Sequence, residues 1–420
     1  MHILITTGEK RIPRILFLAV LVMLIPFIIT FNFFNTTSLL KPLVAGTYLI
    51  EILLIVSTFI NNKTRIQIIW IFIAIFLAVF QLITMVLDLV VGLSINVFDI
   101  INSYAEALNF ILLFGVMTNV KVKREQLMLF MKYVVIFSVV ACLYNLVINW
   151  NQIAHLGYMT SGYQVDLKSF FANRNQFGAF IFVSIVAHVY MLTGKRIKMT
   201  HILIFLLQLL SVMLTMSRGS ILACVVFFVL FYIQNLKNIK SVFFIGGLWT
   251  VLLFVIVSNH KLMAFITKYI IREDAGLSGR SSIWSMGINV AIKHNIINGV
   301  GYYTGLDMAK SQGLQFDEFH SLYIDKLVEG GIIGLVFLIL VLTFVFYRCL
   351  AKCGDKPVKR VYTASFIAIL VLGAFESVSF FSIGYVDTIM TIFFVTIPLL
   401  LSNMENYEYG VCKSRLETNK

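Results

Sequence analysis

Long apolar runs alternate with short polar segments over the whole length of the chain. An apolar run of about 18 residues or more can cross a hydrocarbon core of roughly 30 Å as a helix. Backbone N–H and C=O groups must bond to one another within lipid, so such runs form helices. The alternating pattern of a membrane β-barrel is absent. The pattern therefore predicts an all-α polytopic membrane protein, with residues 1–420 forming a single integral membrane domain.

We predict about 12 transmembrane helices from these runs. They cover residues 15–34, 39–60, 66–91, 98–118, 127–148, 176–193, 199–216, 219–235, 241–258, 328–347, 360–380 and 384–401. The composition agrees, since 60% of the residues are hydrophobic and 13% are charged. An ordinary soluble domain is about half apolar and about a quarter charged.

Most of the 33 lysines and arginines lie in alternate segments between the predicted helices. This distribution follows the positive-inside rule and predicts that both termini are cytoplasmic. It also accounts for the net charge of +13. We therefore expect contact with membrane lipid and no nucleic-acid partner.

Two predicted outer loops are longer than tight turns. One covers residues 149–175, and the other is a large extracytoplasmic loop over 259–327, between helices nine and ten. A loop of that length is usually functional or a small domain. Within it, residues 280–294 have the period of an amphipathic helix that lies on the membrane or caps a cavity. Its polar face is Ser281, Ser285, Asn289 and Lys293.

The sequence contains no signature of a metal or nucleotide site. The five cysteines lack the spacing of a zinc site or a disulfide framework. Asp-x-Asp pairs, a Walker loop and the Gly-x-Gly-x-x-Gly pattern are all missing. We therefore expect no metal and no cofactor, and a reaction in which arginines neutralise a leaving group.

Two arginines on the predicted outer side are candidates for that role. Arg218 lies in the turn Ser217-Arg218-Gly219-Ser220, where small residues permit close approach and the next helix presents free N–H groups. Arg280 falls in the first turn of the amphipathic helix, for which Ser278 is the predicted N-cap. Guanidinium groups bind phosphate bidentately, so this pair predicts a phosphate or pyrophosphate site. The alternative for Arg218 is an arginine that only reaches to the membrane interface.

His320 ends the large loop and follows Asp317 and Glu318. A single histidine is more often structural than catalytic, but one in this place can act as a base near neutral pH. Asn173-Arg174-Asn175 adds a third outward arginine and two amides suited to sugar hydroxyls.

These motifs together resemble the bacterial O-antigen polymerase and O-antigen ligase superfamily. The segments that carry the resemblance are Asn173-Arg174-Asn175-Gln176-Phe177-Gly178, Ser217-Arg218-Gly219, Ser278-Gly279-Arg280 with Ile283-Trp284, Asn298-Gly299-Val300-Gly301, His320-Ser321-Leu322-Tyr323 and Glu329-Gly330-Gly331-Ile332-Ile333-Gly334. Ser321 departs from the family, in which asparagine is frequent at that place.

The resemblance implies a metal-independent glycosyltransferase that acts on undecaprenyl-pyrophosphate-linked glycans at the outer face of the bacterial cytoplasmic membrane. Arg218 and Arg280 would hold the donor pyrophosphate, and His320 would activate or orient the acceptor hydroxyl. The residues expected to bind substrate are Asn173, Arg174, Asn175, Trp284, Glu318 and Tyr323. Flippase and chain-length regulator proteins are expected partners.

The sequence thus favours a polymerase that joins lipid-linked repeat units into a capsule, an exopolysaccharide or an O-antigen. One alternative is a ligase that transfers finished glycan to another acceptor. The other is a flippase or secondary transporter, which predicts functional charges within the spans. The candidates for those charges are Asp88, Glu106 and Glu376, although Glu376 would equally stabilise an arginine of the outer site.

Overall fold

The structure is a computed structural model. The residues that it describes are 24, 28, 46–50, 52–54, 56, 68–90, 92–116, 122–155, 166–193, 197–235, 258–259, 263, 267, 280–353, 355–381 and 386–402. These residues form helices, turns and irregular segments, without a strand. The all-α class predicted from the hydrophobic pattern is confirmed.

We number the helices of the described segments from α1 to α12. They are α1 Ile68–Val90, α2 Val97–Phe110, α3 Arg124–Ile148, α4 Trp150–Ala154, α5 Arg174–Leu192, α6 Met199–Thr215, α7 Arg218–Asn235, α8 Arg280–His294, α9 Tyr302–Ser311, α10 Leu322–Lys352, α11 Lys356–Phe375 and α12 Asp387–Thr391. Helix α2 continues as a π-helical segment over Ile111–Val116, and α12 as one over Ile392–Thr396.

Among the described residues, seven helices are long and apolar enough to cross a membrane: α1, α2 with its extension, α3, α5, α7, α10 and α11. Two shorter apolar helices, Met199–Thr215 and Asp387–Ser402, occupy the predicted spans 199–216 and 384–401. The polytopic architecture is therefore confirmed. The predicted spans 15–34, 39–60 and 241–258 lie largely outside the described residues.

Helix α5 lies at the centre of the packing and contacts α3, α6 and α7, while α7 runs along α11. Most of α5 is buried, and it is apolar on all sides, as expected of a helix surrounded by others. Gln208 of α6 donates to Ser138 of α3 at 2.9 Å and to Ser184 of α5 at 2.7 Å. Such hydrogen bonds link helices where apolar contacts alone give little preference over lipid.

Helix α10 is broken at Gly331, whose φ is 62° and ψ −159°. The break leaves backbone groups without helical partners, and the segment 296–301 supplies them. The bonds are Ile332 N to Ile296 O, Ile333 N to Ile297 O, Val300 N to Val328 O and Gly301 N to Glu329 O, at 2.9–3.2 Å. Non-helical backbone inside a membrane protein is tolerated only where such partners exist.

Two boundaries differ from the prediction by more than a few residues. Helix α10 begins at Leu322 rather than at 328, because the residues before the break form their own helical turns. Helix α11 ends at Phe375 rather than at 380, because Glu376 is extended, with φ −137° and ψ 144°. Its carbonyl accepts a hydrogen bond from Leu322 N at 3.1 Å, which joins the end of α11 to the start of α10.

Substitution of Gly331 by alanine should destabilise the fold markedly. Its backbone conformation is almost exclusive to glycine, and an added Cβ would collide with the Ile297 carbonyl. We expect a loss of about 3–5 kcal/mol from backbone strain and overpacking together. Thermal unfolding in detergent measures the effect.

Gly313 provides the control for this prediction. Its φ is 102°, but a Cβ there would meet no atom within 4 Å. Gly313→Ala should therefore show only the conformational cost, about 1–2 kcal/mol. Equal destabilisation by the two variants would show that the contact with segment 296–301 is unimportant.

Candidate functional site

Five helix ends meet at one end of the bundle: the starts of α5, α7, α8 and α10 and the end of α11. We call this region the site end. Glycines permit the close approach. A Cβ on Gly219 would lie 3.2 Å from Glu376 Oε1, and one on Gly178 would lie 2.7 Å from Ser220 Oγ. A Cβ on Gly287 of α8 would lie 2.6 Å from the side chain of Ile324 on α10.

Arg280 and Glu376 form the central contact of the site end. Arg280 Nη2 lies 2.9 Å from Glu376 Oε1, and the two side chains are 12% and 8% exposed. Arg280 is the first residue of α8, where the helix dipole disfavours a positive charge. The Glu376 carboxylate offsets that effect. The Glu376 carboxylate thus lies beside Arg280, where the sequence predicts that phosphate or pyrophosphate binds.

Glu376 is also the meeting point of the surrounding charges. It directly follows the membrane-spanning part of α11. Burial raises the pKa of its carboxyl; the charge of Arg280 lowers it, Glu318 raises it, and His320 lowers it again, with a net upward shift. Arg280, Glu318 and His320 therefore act electrostatically on one buried carboxyl group.

His320 occupies a strained position just before α10. Its φ is 54°, in the left-handed region that non-glycine residues seldom adopt. Its Nδ1 lies 2.8 Å from Glu318 Oε1, although the two groups are not aligned as a hydrogen bond. The adjacent Phe319 is fully buried and packs against Gly287 of α8. The packing of α8 on this turn thus fixes where the imidazole lies.

Arg218 begins α7 beside the same carboxyl group. The turn before it is tight, since Met216 has a φ of 52°. Ser217 and Ser220 are buried, and their hydroxyl oxygens lie 3.0 Å apart. Arg218 itself is half-buried, and its neighbour Gly219 packs on Glu376. The start of α7 therefore lies against Glu376.

The segment Asn173-Arg174-Asn175 lies next to this turn. Asn173 is the N-cap of α5, and its side chain accepts from Gln176 N at 2.9 Å. This capping bond uses its side-chain oxygen. Arg174 and Asn175 are half-buried in the first turn of α5.

Trp284 and Tyr323 support the site end from the sides. The Trp284 ring packs on Phe375 with centroids 6.1 Å apart, and its buried Nε1 has no hydrogen-bond partner among the described residues. The Tyr323 hydroxyl donates to the Leu370 carbonyl at 2.9 Å. Tyr323 therefore anchors α10 to α11.

The polar face of α8 is exposed as the pattern requires, and Ile283, Gly287, Val290 and Ala291 are buried. The predicted cap Ser278 lies outside the described residues. Within the described segments, no group of three histidine, cysteine or acidic side chains is placed to hold a metal ion.

The acidic residues suggested for a transporter have other partners in two cases. Glu376 pairs with Arg280, as the second interpretation of this residue expects. Glu106 pairs with Lys326 at 2.6 Å, a lysine that the sequence analysis did not single out. Asp88 is buried, and its Oδ2 lacks a hydrogen-bond partner among the described residues. In the sequence, Lys326 lies between Asp325 and Glu329, just before the predicted span 328–347, and nothing in this pattern indicates its partner on α2.

The comparisons bear on the same part of the chain. A family model described as O-antigen ligase matches residues 203–339. The matched segment includes Arg218, Arg280 and His320. The comparison with curated proteins gives no match.

Proposed function

We propose a polysaccharide polymerase activity for this chain, in which a family model described as O-antigen ligase matches residues 203–339. The protein would join undecaprenyl-pyrophosphate-linked repeat units into a capsule, an exopolysaccharide or an O-antigen. The observation that carries the proposal is the convergence of Arg280, Glu318 and His320 on Glu376, with the start of α7 beside them.

The proposed donor half contains the two arginines. Arg280 would exchange its contact with Glu376 for the pyrophosphate of the donor, and Arg218 with the N–H groups of α7 would bind it from the other side. Charge builds up on the leaving pyrophosphate as the bond to the anomeric carbon breaks. Preorganised cationic donors stabilise that charge most where water is excluded. This chemistry requires no metal.

The proposed acceptor half contains His320 and Glu318. The acceptor hydroxyl oxygen attacks the anomeric carbon, a new glycosidic bond forms, and undecaprenyl pyrophosphate leaves with the bonding electrons. His320 would accept the hydroxyl proton, and the adjacent Glu318 carboxylate would stabilise the resulting imidazolium. The charge distribution of the sequence supports a site at the outer face of the bacterial cytoplasmic membrane.

Purified protein in lipid vesicles, supplied only with lipid-linked repeat units, tests the proposal. A polymerase should produce a ladder of products that differ by one repeat unit. The matching family model is described as a ligase, so a ligase activity is the second candidate. If no ladder forms, but lipid-linked finished glycan supplied in a second reaction is transferred to an added acceptor, the ligase is correct and the polymerase is excluded.

Deletion in cells gives an independent measurement. Loss of a polymerase should leave single repeat units on the final acceptor. Loss of a ligase should leave long chains on the lipid carrier.

A further inference from the structure

Three charged side chains meet inside the bundle, apart from the Arg280–Glu376 pair. Lys326 Nζ on α10 lies 2.6 Å from Glu106 Oε1 on α2 and 2.7 Å from Glu329 Oε2 on α10. The side chains of Lys326, Glu106 and Glu329 are 10%, 15% and 8% exposed. We call these residues the Lys326 triad. Asn102 of α2 donates to the remaining oxygen of Glu329 at 3.1 Å.

Stability alone is a poor reason for such a triad. Removing three charges from water is costly, and apolar residues of similar volume are often equally stabilising or better. The best-attested use of buried polar contacts is to select one register between packed helices. The triad joins α10 to α2, so it is placed to set that register.

The surroundings of the triad do not suit a substrate. The adjacent cavity, lined by Glu106, Lys326 and Glu329 with largely apolar neighbours, has a volume of about 40 Å³. A space of that size holds a few water molecules, so a sugar or a lipid headgroup does not fit. We therefore relate the triad to the start of α10, which follows His320.

Residues 322–330, which we call the half-helix, lie between His320 and the break at Gly331. The break separates them from the rest of α10, so the long helix does not by itself fix their direction. The half-helix carries Lys326 and Glu329 of the triad. At its start, Leu322 N donates to the Glu376 carbonyl.

Helix α2 also binds the start of α9, the helix that follows segment 296–301. Asp99 of α2 accepts hydrogen bonds from Tyr303 N and Thr304 N at the start of α9, at 2.7 and 2.8 Å. Helix α9 follows the segment 296–301 that bonds to the break. The half-helix and the helix that follows segment 296–301 are thus both attached to α2 by charged residues.

We infer that Lys326 is a positioning residue for the proposed reaction. Through the triad it fixes the half-helix on α2, and it thereby holds His320 beside Glu376. The inference rests on the proposed function. It assigns to α2 the task of aligning the acceptor half of the site with the donor half, whose arginines lie on α7 and α8.

Lys326→Met tests this assignment in the vesicle assay. We expect kcat to fall by about 10- to 100-fold, because a displacement of about 1 Å can cost that much. The KM for the lipid-linked donor should change by less than about twofold, because binding by Arg218 and Arg280 is preserved. Lys326→Arg keeps a charge that pairs with carboxylates, and it should restore most of the rate.

Two further variants separate positioning from folding. The triple variant Lys326→Met, Glu106→Gln, Glu329→Gln leaves none of the triad's charges unpaired, so it should accumulate normally and still show the low kcat. Lys310→Met removes a similar contact, 2.6 Å to Asp317, at an exposed place. It should retain the wild-type rate.

The inference is overturned if Lys326→Met, or the triple variant where the single one does not accumulate, polymerises at the wild-type rate. It is also overturned if donor KM rises in proportion to the loss of kcat/KM. A failure of the proposed function looks different, because the wild-type protein would then form no ladder. If His320→Asn is inactive and Lys326→Met is fully active, only the positioning role of Lys326 is rejected.

Discussion

Arg280→Ala should lower the polymerisation rate about 100- to 1,000-fold, the usual cost of removing one preorganised donor from a developing anion. The side chain is only 12% exposed and already holds a carboxylate at 2.9 Å, so its geometry is set before the donor arrives. Initial rates of ladder formation, normalised to the amount of folded protein, measure the effect.

The normalisation matters because Arg280→Ala also leaves Glu376 buried without its partner. Such an orphaned charge costs roughly 3–5 kcal/mol of stability. The double variant Arg280→Ala, Glu376→Gln removes the orphaned charge, so it should recover abundance without recovering the rate. Recovery of the rate in the double variant would show that Arg280 serves Glu376 rather than the donor.

Arg124→Ala is the matched control for Arg280. Arg124 also pairs with a carboxylate, Asp355, at 2.7 Å. It lies at the start of α3, whereas the end of α3 is the part bonded to the segment that leads into α5, through Ser169 and Asn145. This pair is thus remote from the site end, and its side chains are 53% and 28% exposed. We expect an unchanged polymerisation rate.

The hydrophobic pattern was sufficient to predict the helices that are specified by their own residues alone. A run of apolar residues specifies a membrane helix whatever its neighbours are, so α1, α3 and α5 were predicted within a few residues. The polar face of α8 was likewise visible in the four-residue spacing of Ser281, Ser285 and Asn289.

Features that depend on a distant partner could not be predicted in the same way. The break at Gly331 is tolerated because Ile296 and Ile297, more than thirty positions earlier, accept the hydrogen bonds of Ile332 and Ile333. The unexpected start of α10 follows from that break. The sequence shows only a glycine pair at this place, and a glycine pair does not reveal its partner.

The charges of the site illustrate the same limit. Arg218, Arg280 and His320 stood out because they lie away from the predicted cytoplasmic segments. Glu376 remained ambiguous, since an acid at the end of a span suits both a transporter and an arginine partner. Only the approach of α8 to the end of α11 decides between them, and that approach depends on packing around Gly219 and Gly287.

His320→Asn should lower the polymerisation rate by about 100- to 10,000-fold while leaving the fold intact. A positioned general base contributes about that factor. Asparagine is the suitable replacement because His320 has a φ of 54°, and asparagine tolerates the left-handed region better than most residues. The amide fills part of the space of the imidazole, but it cannot take up the proton of the acceptor hydroxyl.

His320→Ala serves as the comparison. It removes the same base but places alanine in the left-handed region, so it should lose the rate and also about 1 kcal/mol of stability. If both variants lose activity and only His320→Ala loses stability, the imidazole itself is required. If His320→Asn polymerises within about twofold of wild type, His320 is a structural residue. The acceptor proton must then pass to another group, for which Glu318, 2.8 Å from the imidazole, is the nearest candidate.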